Sequence, residues 1–150
     1  MKAQAMINAD TFSPSNTYWA ETHSVENQPD ALENYNVFES DLALKEAALA
    51  HDASWATQDL NEFGVLCGSK EVIELGYLAN ENKPTLYTHD RQGKRIDEVR
   101  YHPAYHQLMK LSMEAGLHAS HWQNKSGAHV ARAAKNLMMA QVEAGHGCPI

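Results

Sequence analysis

Cysteine is nearly absent: Cys67 and Cys148 are the two in 150 residues. That is too few for a disulfide framework, and reduced thiols in the cytosol are the expectation. The start of the chain lacks a charged segment followed by an apolar run and a small-residue cleavage site, so no export signal is read there. No stretch approaches the run of about eighteen apolar residues that a spanning helix needs, so no membrane role is expected. Basic charge is also scarce, with 12 Lys and Arg against 19 Asp and Glu and a formal charge of −7. The deficit is concentrated in residues 1–62, where Lys2 and Lys45 face eleven carboxylates, whereas residues 63–150 carry ten bases against eight acids. An acidic front disfavours phosphate backbone or anionic lipid as its partner, because counterion release requires clustered Lys and Arg. Gly145-His146-Gly147 lacks the Lys-Ser/Thr partner and the strand-to-helix context of a phosphate loop.

What is present is helical periodicity. The length suits one domain with its own core. Ser126 can cap a helix over Ala128–Ala144 that Gly145 and Gly147 stop, with Ala131, Ala134, Met138 and Val142 on one face and Leu137 and Met139 widening it. Only Arg132, Lys135 and Glu143 are charged there, so this helix is expected to be central and enclosed by neighbours.

Earlier in the chain, residues 1–36 show no period of two or 3.6 and read as an extended, partly disordered arm. Phe12, Tyr18, Trp19 and Tyr35 leave open a loose tail or an arm that packs on a partner surface. Ser40 can cap a helix over Asp41–Ala50 with Leu42, Leu44 and Leu49 as its apolar face, and His51-Asp52 breaks it. Ser54 can cap the next, on which Ala56, Leu60, Phe63 and Cys67 align before Gly68. Ser69 starts another, lined by Val72, Leu75, Leu78 and Ala79 and ended before Pro84. One β signal exists: a hairpin over 85–99 with its turn at Asp90–Gly93, which should pack on helices because an isolated hairpin is marginal. Pro103 suits a first helical turn, with Tyr105, Leu108, Met109 and Met113 as the buried face, and a further turn is expected around Trp122. The fold class is mainly α, with one small hairpin.

Candidate chemistry is thin. His102 and His106 are four apart and His118 and His121 three apart, but zinc needs three or four ligands, and Pro103 stands where a zinc-protease motif has Glu. Surface or hydrogen-bonded histidines are the simpler reading. Cys148 would need a base, and His146 two residues away seldom supplies the required geometry. No catalytic, cofactor-binding or metal residue is assigned.

Several phrases in order carry a resemblance: HSVENQP (His23–Pro29), LGYLAN (Leu75–Asn80), YTHDRQGKRIDEVRYHP (Tyr87–Pro103), SGAHVARAA (Ser126–Ala134), and AQVEAG (Ala140–Gly145) with the closing Cys148-Pro149-Ile150. From about His23 onward the chain resembles the N-terminal helical region of AidB-type proteins, the alkylation-response branch of the acyl-CoA dehydrogenases. The resemblance implies a domain over 37–150 behind the arm of 1–36, and a fragment whose parent continues into a β-domain, a C-terminal helical domain and a DNA-binding region. It further implies FAD held by those later domains, an acyl-CoA-like substrate oxidised by proton abstraction with hydride transfer to flavin, a tetramer, DNA contacts downstream and no membrane. The family's catalytic Glu lies in the later domains, so none of these roles transfers to a residue here, and the fragment alone is expected to be inactive. The rival expectation is a stand-alone acidic helical interaction module. Such a module should cover its terminal helix, whereas a domain cut from a larger protein should expose an apolar patch around Ala131–Val142.

Overall fold

The computed structural model describes residues 26–147, with side chains through Gly145. The chain divides into two units, Met1–Ala31 and Leu32–Ile150. Of the first, residues 26–31 are described; they are irregular and exposed, with Asn27 left-handed at φ 66°. Most of the expected arm lies outside the described residues, as does Cys148.

The second unit is helical apart from one hairpin. Its first helix, α1 (Val37–Ser40), is capped by Asn36, whose side-chain oxygen accepts from the amides of Phe38 and Glu39 at 3.0 and 3.1 Å. The same side chain donates to the Asn61 side chain on α3 (Thr57–Cys67), so one residue both starts a helix and ties it to a neighbour. That contact is close enough that a Cβ on Gly64 would meet Asn36 Oδ1 at 2.4 Å and Phe38 N at 2.8 Å; only glycine fits there.

Two expected caps are corrected. Asp41, not Ser40, caps α2 (Leu42–Ala50), accepting from the Leu44 amide at 2.9 Å, because Ser40 still belongs to α1 and its hydroxyl donates back to the Val37 carbonyl. Ser54 opens a 3-10 turn (Ser54–Ala56) rather than capping α3. The expected face of α3 holds, with Ala56, Leu60, Phe63 and Cys67 all buried. Ser69 caps α4 (Lys70–Glu81), and Asn34 joins it by accepting from the Lys70 amide at 3.1 Å.

Strands β1 (Thr85–His89) and β2 (Arg95–Arg100) pair antiparallel around a turn with Gly93 at φ 81°, and Asp97 at φ 47° accommodates an irregularity in register. The expectation that this hairpin packs on the helices is not met. Every strand residue is exposed on both faces.

Helix α5 (Pro103–Glu114) begins with Pro at its first turn as expected, capped by His102. Its buried face is offset from the expected one: Ala104, Leu108 and Ser112 are buried, while Met113 is 40% exposed. These follow an i, i+4, i+8 row, so small residues bring α5 close to its neighbours and the larger Met109 and Met113 stay at the margin. A 3-10 turn (Ser120–Gln123) follows where a turn was expected around Trp122.

Helix α6 (Ala128–Val142) buries Ala131, Ala134, Met138 and Met139 against Phe38, Leu60, Phe63, Leu108 and Leu117, in the core shared by the helices. A fully buried side chain of this size contributes on the order of 2 kcal/mol. Three details depart from expectation. Ser126 does not cap α6; left-handed Gly127 (φ 75°) turns it aside, and its hydroxyl donates to Asp52 Oδ2 at 2.8 Å. The helix stops at Glu143, whose extended backbone and Oε1, accepting from the Gly145 amide, start a short α7 (Ala144–Gly147) across the glycines expected to be the stop. Nor is α6 enclosed all round, because Ala133, Leu137 and Ala140 are exposed.

Candidate functional site

The one charged side chain buried among the described residues stands on α6. Lys135 occupies a position on the buried side of that helix and is only 6% exposed. A buried ammonium needs compensation, and three groups supply it. Nζ lies 2.7 Å from Asp59 Oδ2 on α3, donates to the Ala115 carbonyl at 2.9 Å and sits 5.5 Å from the centroid of the Phe63 ring.

The Ala115 carbonyl is available because of how α5 ends. Gly116, left-handed at φ 75°, lets the amide of Leu117 bond to the Ser112 carbonyl at 3.1 Å while its own amide bonds to Met113 at 3.0 Å. This termination leaves the next carbonyls facing α6. Lys135 takes Ala115 and Arg132, one turn earlier, donates through Nε to Leu117. Two cations thus meet the negative end of the α5 dipole, where positive charge is favoured. Sequence reading registered Lys135 and Arg132 as charges on an Ala-rich helix without assigning them a task. Their spacing of three, in line with Ala128, Ala131 and Met138, was the available signal.

A cleft of about 290 Å³ opens over this network, lined among others by Trp55, Asp59, Glu114, Gln123, Arg132 and Lys135. At its rim Trp55 Nε1 donates to the Ser126 carbonyl at 2.8 Å and Lys125 Nζ stands 3.6 Å over the Trp55 ring. The cleft is small for a coenzyme A thioester, and its two deep cations are directed at main-chain carbonyls. The arrangement clamps α3, α5 and α6 together. It holds no nucleophile paired with a base.

The histidines take separate structural roles. His102 accepts the Ala104 amide at 3.2 Å as a helix cap, while His106 packs edge-on against Tyr101 and Tyr105. His121 lies against Trp122 and His129 rather than His118. Its Nδ1 is buried with no hydrogen-bond partner among the described residues, and lost hydration, then the charges of Arg132 and His129, hold the ring below the ordinary histidine pKa. Among the described residues no group of three or more His, Cys, Asp or Glu could hold a metal ion. Burial pushes the Cys67 thiol up to about 12, partly offset by Lys135, so it is a packing residue rather than a nucleophile. Among the described residues no helix is long and apolar enough to cross a membrane.

A family model described as the adaptive response protein AidB N-terminal domain matches residues 27–150. The AidB protein of Escherichia coli (strain K12) is 47% identical over 135 residues, covering 89% of this chain and 25% of its own length. Two solved structures share the fold at 20% identity: Bd2924 in its apo form, with a TM-score of 0.70 over 79% of this chain and 25% of that one, and Caenorhabditis elegans ACDH-11 in complex with C11-CoA, with 0.68 over 81% and 22%. The chain therefore spans about a quarter of the length of the relatives it matches. The two structures share the arrangement of the chain, and the match to the N-terminal domain model together with the E. coli relative shows that the chain belongs to the AidB family.

Proposed function

We propose that residues 37–150 are the N-terminal helical domain of an FAD-dependent acyl-CoA dehydrogenase of the AidB type, preceded by an arm over 1–36. The whole protein oxidises an acyl-CoA or similar thioester at the α,β positions, assembles as a tetramer in the cytoplasm, and associates with DNA through regions outside this chain. The observation that carries the reading is the 47% identity to the E. coli relative along 89% of the chain. The shared fold of Caenorhabditis elegans ACDH-11, which was solved in complex with C11-CoA, supports it.

In this reading the flavin is held outside this chain rather than by the described residues. They offer no glycine-rich anion loop, and their cleft of about 290 Å³ is occupied at its floor by the Lys135 and Arg132 bonds to carbonyls. Their work in this reading is architectural: α3, α5 and α6 form a wall that the Lys135 network holds rigid. Exposed Ala133, Leu137 and Ala140 on α6 favour a domain of a larger protein over a stand-alone acidic interaction module.

Expression at the length the gene encodes, followed by the flavin absorbance spectrum, acyl-CoA-dependent flavin reduction and DNA retention, tests the reading. A yellow protein reduced by acyl-CoA supports it. A colourless protein that neither takes up FAD nor oxidises acyl-CoA overturns the enzymatic part, and failure to retain DNA overturns the nucleic-acid part alone.

A further inference from the structure

The connection between α5 and α6 is tied at its ends and loosely packed between them. At the first end Leu117 is buried and its carbonyl accepts from Arg132 Nε; at the second, the Ser126 hydroxyl donates to Asp52 and the Ser126 carbonyl accepts from Trp55 Nε1. From His118 to Gly127 no residue is buried, and Trp122 is 78% exposed. Left-handed residues bracket the 3-10 turn, Gly116 at φ 75° before it and Asn124 at φ 49° and Gly127 at φ 75° after it, so no regular element braces it from either side. A stretch with so few buried contacts opens at a small fraction of the cost of unfolding the domain.

One ring holds the middle of this stretch to α6. His121 stands 5.2 Å from the His129 ring and 5.0 Å from Trp122, centroid to centroid. Its Nδ1 is buried with no hydrogen-bond partner. Such a site is best suited to a bare lone pair, with the ring proton on Nε2. A second proton would go to Nδ1, where it would be an unhydrated N–H without an acceptor, facing the charge of Arg132 and the His129 ring of α6. The carboxylates nearby are engaged elsewhere: Asp59 with Lys135, Glu114 with Lys110 and Asp52 with Ser126. Lys125, the other cation of the stretch, lies over the Trp55 ring. Because Nδ1 is closed off inside the fold, no group from outside this chain reaches it while the turn is in place.

We infer that residues 118–125 form a flap at the edge of the Lys135 cleft, latched onto α6 by neutral His121 and released when that ring takes a second proton. Ser120 and Gln123 line the cleft with Arg132 and Lys135, so release widens it and admits water to the clamp between α5 and α6. In the released flap the ring is hydrated and binds the proton more readily. The latch is therefore complete above the ordinary histidine pKa of 6.5 and weakens as pH falls toward the lowered value of the closed form. Across that window the open fraction rises by up to about tenfold per pH unit. The device does not depend on the reaction that the whole protein carries out.

Amide hydrogen exchange from about pH 5 to 8 tests the latch in the protein expressed at its encoded length, with rates corrected for the chemical exchange rate at each pH. Peptides spanning 118–126 include the amides of Ser120 and Trp122, which bond to the Gly116 and Ala119 carbonyls and report the flap. Their protection should fall by up to about tenfold per pH unit as His121 is protonated, and low urea should leave it unchanged because the opening is local. His121→Phe keeps a flat ring that cannot take a proton, and His121→Gln removes the ring as well; in both, protection should no longer depend on pH. A wild-type flap that is insensitive to pH, or an equal fall in both variants, overturns the latch. Exchange of these amides only together with the core, at the same urea dependence, overturns the flap itself.

Discussion

Replacing Lys135 tests whether the buried cation is a structural clamp or merely half of an ion pair. Lys135→Ala removes three things: the bond to the Ala115 carbonyl at 2.9 Å, the positive charge at the C-terminal end of α5, and an aliphatic stem packed beside Phe63. A hydrogen bond from a charged donor contributes about 1.5–3 kcal/mol and a helix-terminal charge about 0.3–1. The Asp59 partner adds little, because its side chain is 61% exposed and rehydrates once Lys135 is gone. The expected loss is therefore about 2–4 kcal/mol, below the full cost of orphaning a buried charge. Lys135→Met loses the same bond and charge but retains most of the stem, so it should fall at the low end of that range, about 2 kcal/mol, and below Lys135→Ala. Asp59→Asn should lose less than about 1 kcal/mol. Urea unfolding at constant m-value reads all three. The reasoning fails if Asp59→Asn is as costly as Lys135→Ala, which would make the ion pair the main term, or if Lys135→Ala is indistinguishable from wild type.

Gly127→Ala places a Cβ 2.2 Å from the Asp52 carbonyl oxygen at a left-handed φ, whereas Gly93→Ala meets nothing within 4 Å, so the first should cost about 2 kcal/mol or more and the second about 1 in thermal unfolding. Asn36→Ala removes a cap on α1 and a tie to α3 together, and should cost at least the roughly 1 kcal/mol of an ordinary cap. His121 is held below its ordinary pKa of 6.5, so the unfolded chain binds the proton more readily; its contribution to stability is present above that pH and declines as pH falls toward the lowered folded value. His121→Gln should flatten the stability–pH profile in that window relative to wild type, and an unchanged slope would refute the assignment.

How much of this was legible depends on whether local pattern or distant geometry decided the outcome. The Ala56, Leu60, Phe63, Cys67 row on α3 and the Pro103 start of α5 were readable, because spacing and backbone chemistry act within a few residues. Cap identity was less so: Ser40 and Asp41 are both good caps, and only the position of α1, whose core contact is Phe38, decides between them. The α5 face was misread for a related reason. Helical spacing with Tyr105, Leu108 and Met109 placed Met113 inside, but close helix approach selects Ala104 and Ser112. The Lys135 clamp was illegible as a task, since it requires knowing that α5 ends against α6, 20 residues on in sequence.

The exposed surfaces bear on the same point from the other side. Hydrophobic pattern reports that a face wants burial, not whether this chain supplies the partner. Leu42 and Leu49 were read as an inward face and the hairpin as a packed one, yet both are open, while the face of α6 carrying Ala131, Ala134 and Met138 is filled as its pattern requires. The difference lies in what each element can reach: α6 packs against the shared core, whereas among the described residues no further helix covers the open faces of α2 and the hairpin. A domain evolved to stand alone would place Lys or Glu at such positions, the residue types that this chain has only beside them, at Glu46 and Lys94. Leucine and valine retained there are best accounted for by a surface that is covered in the assembled protein.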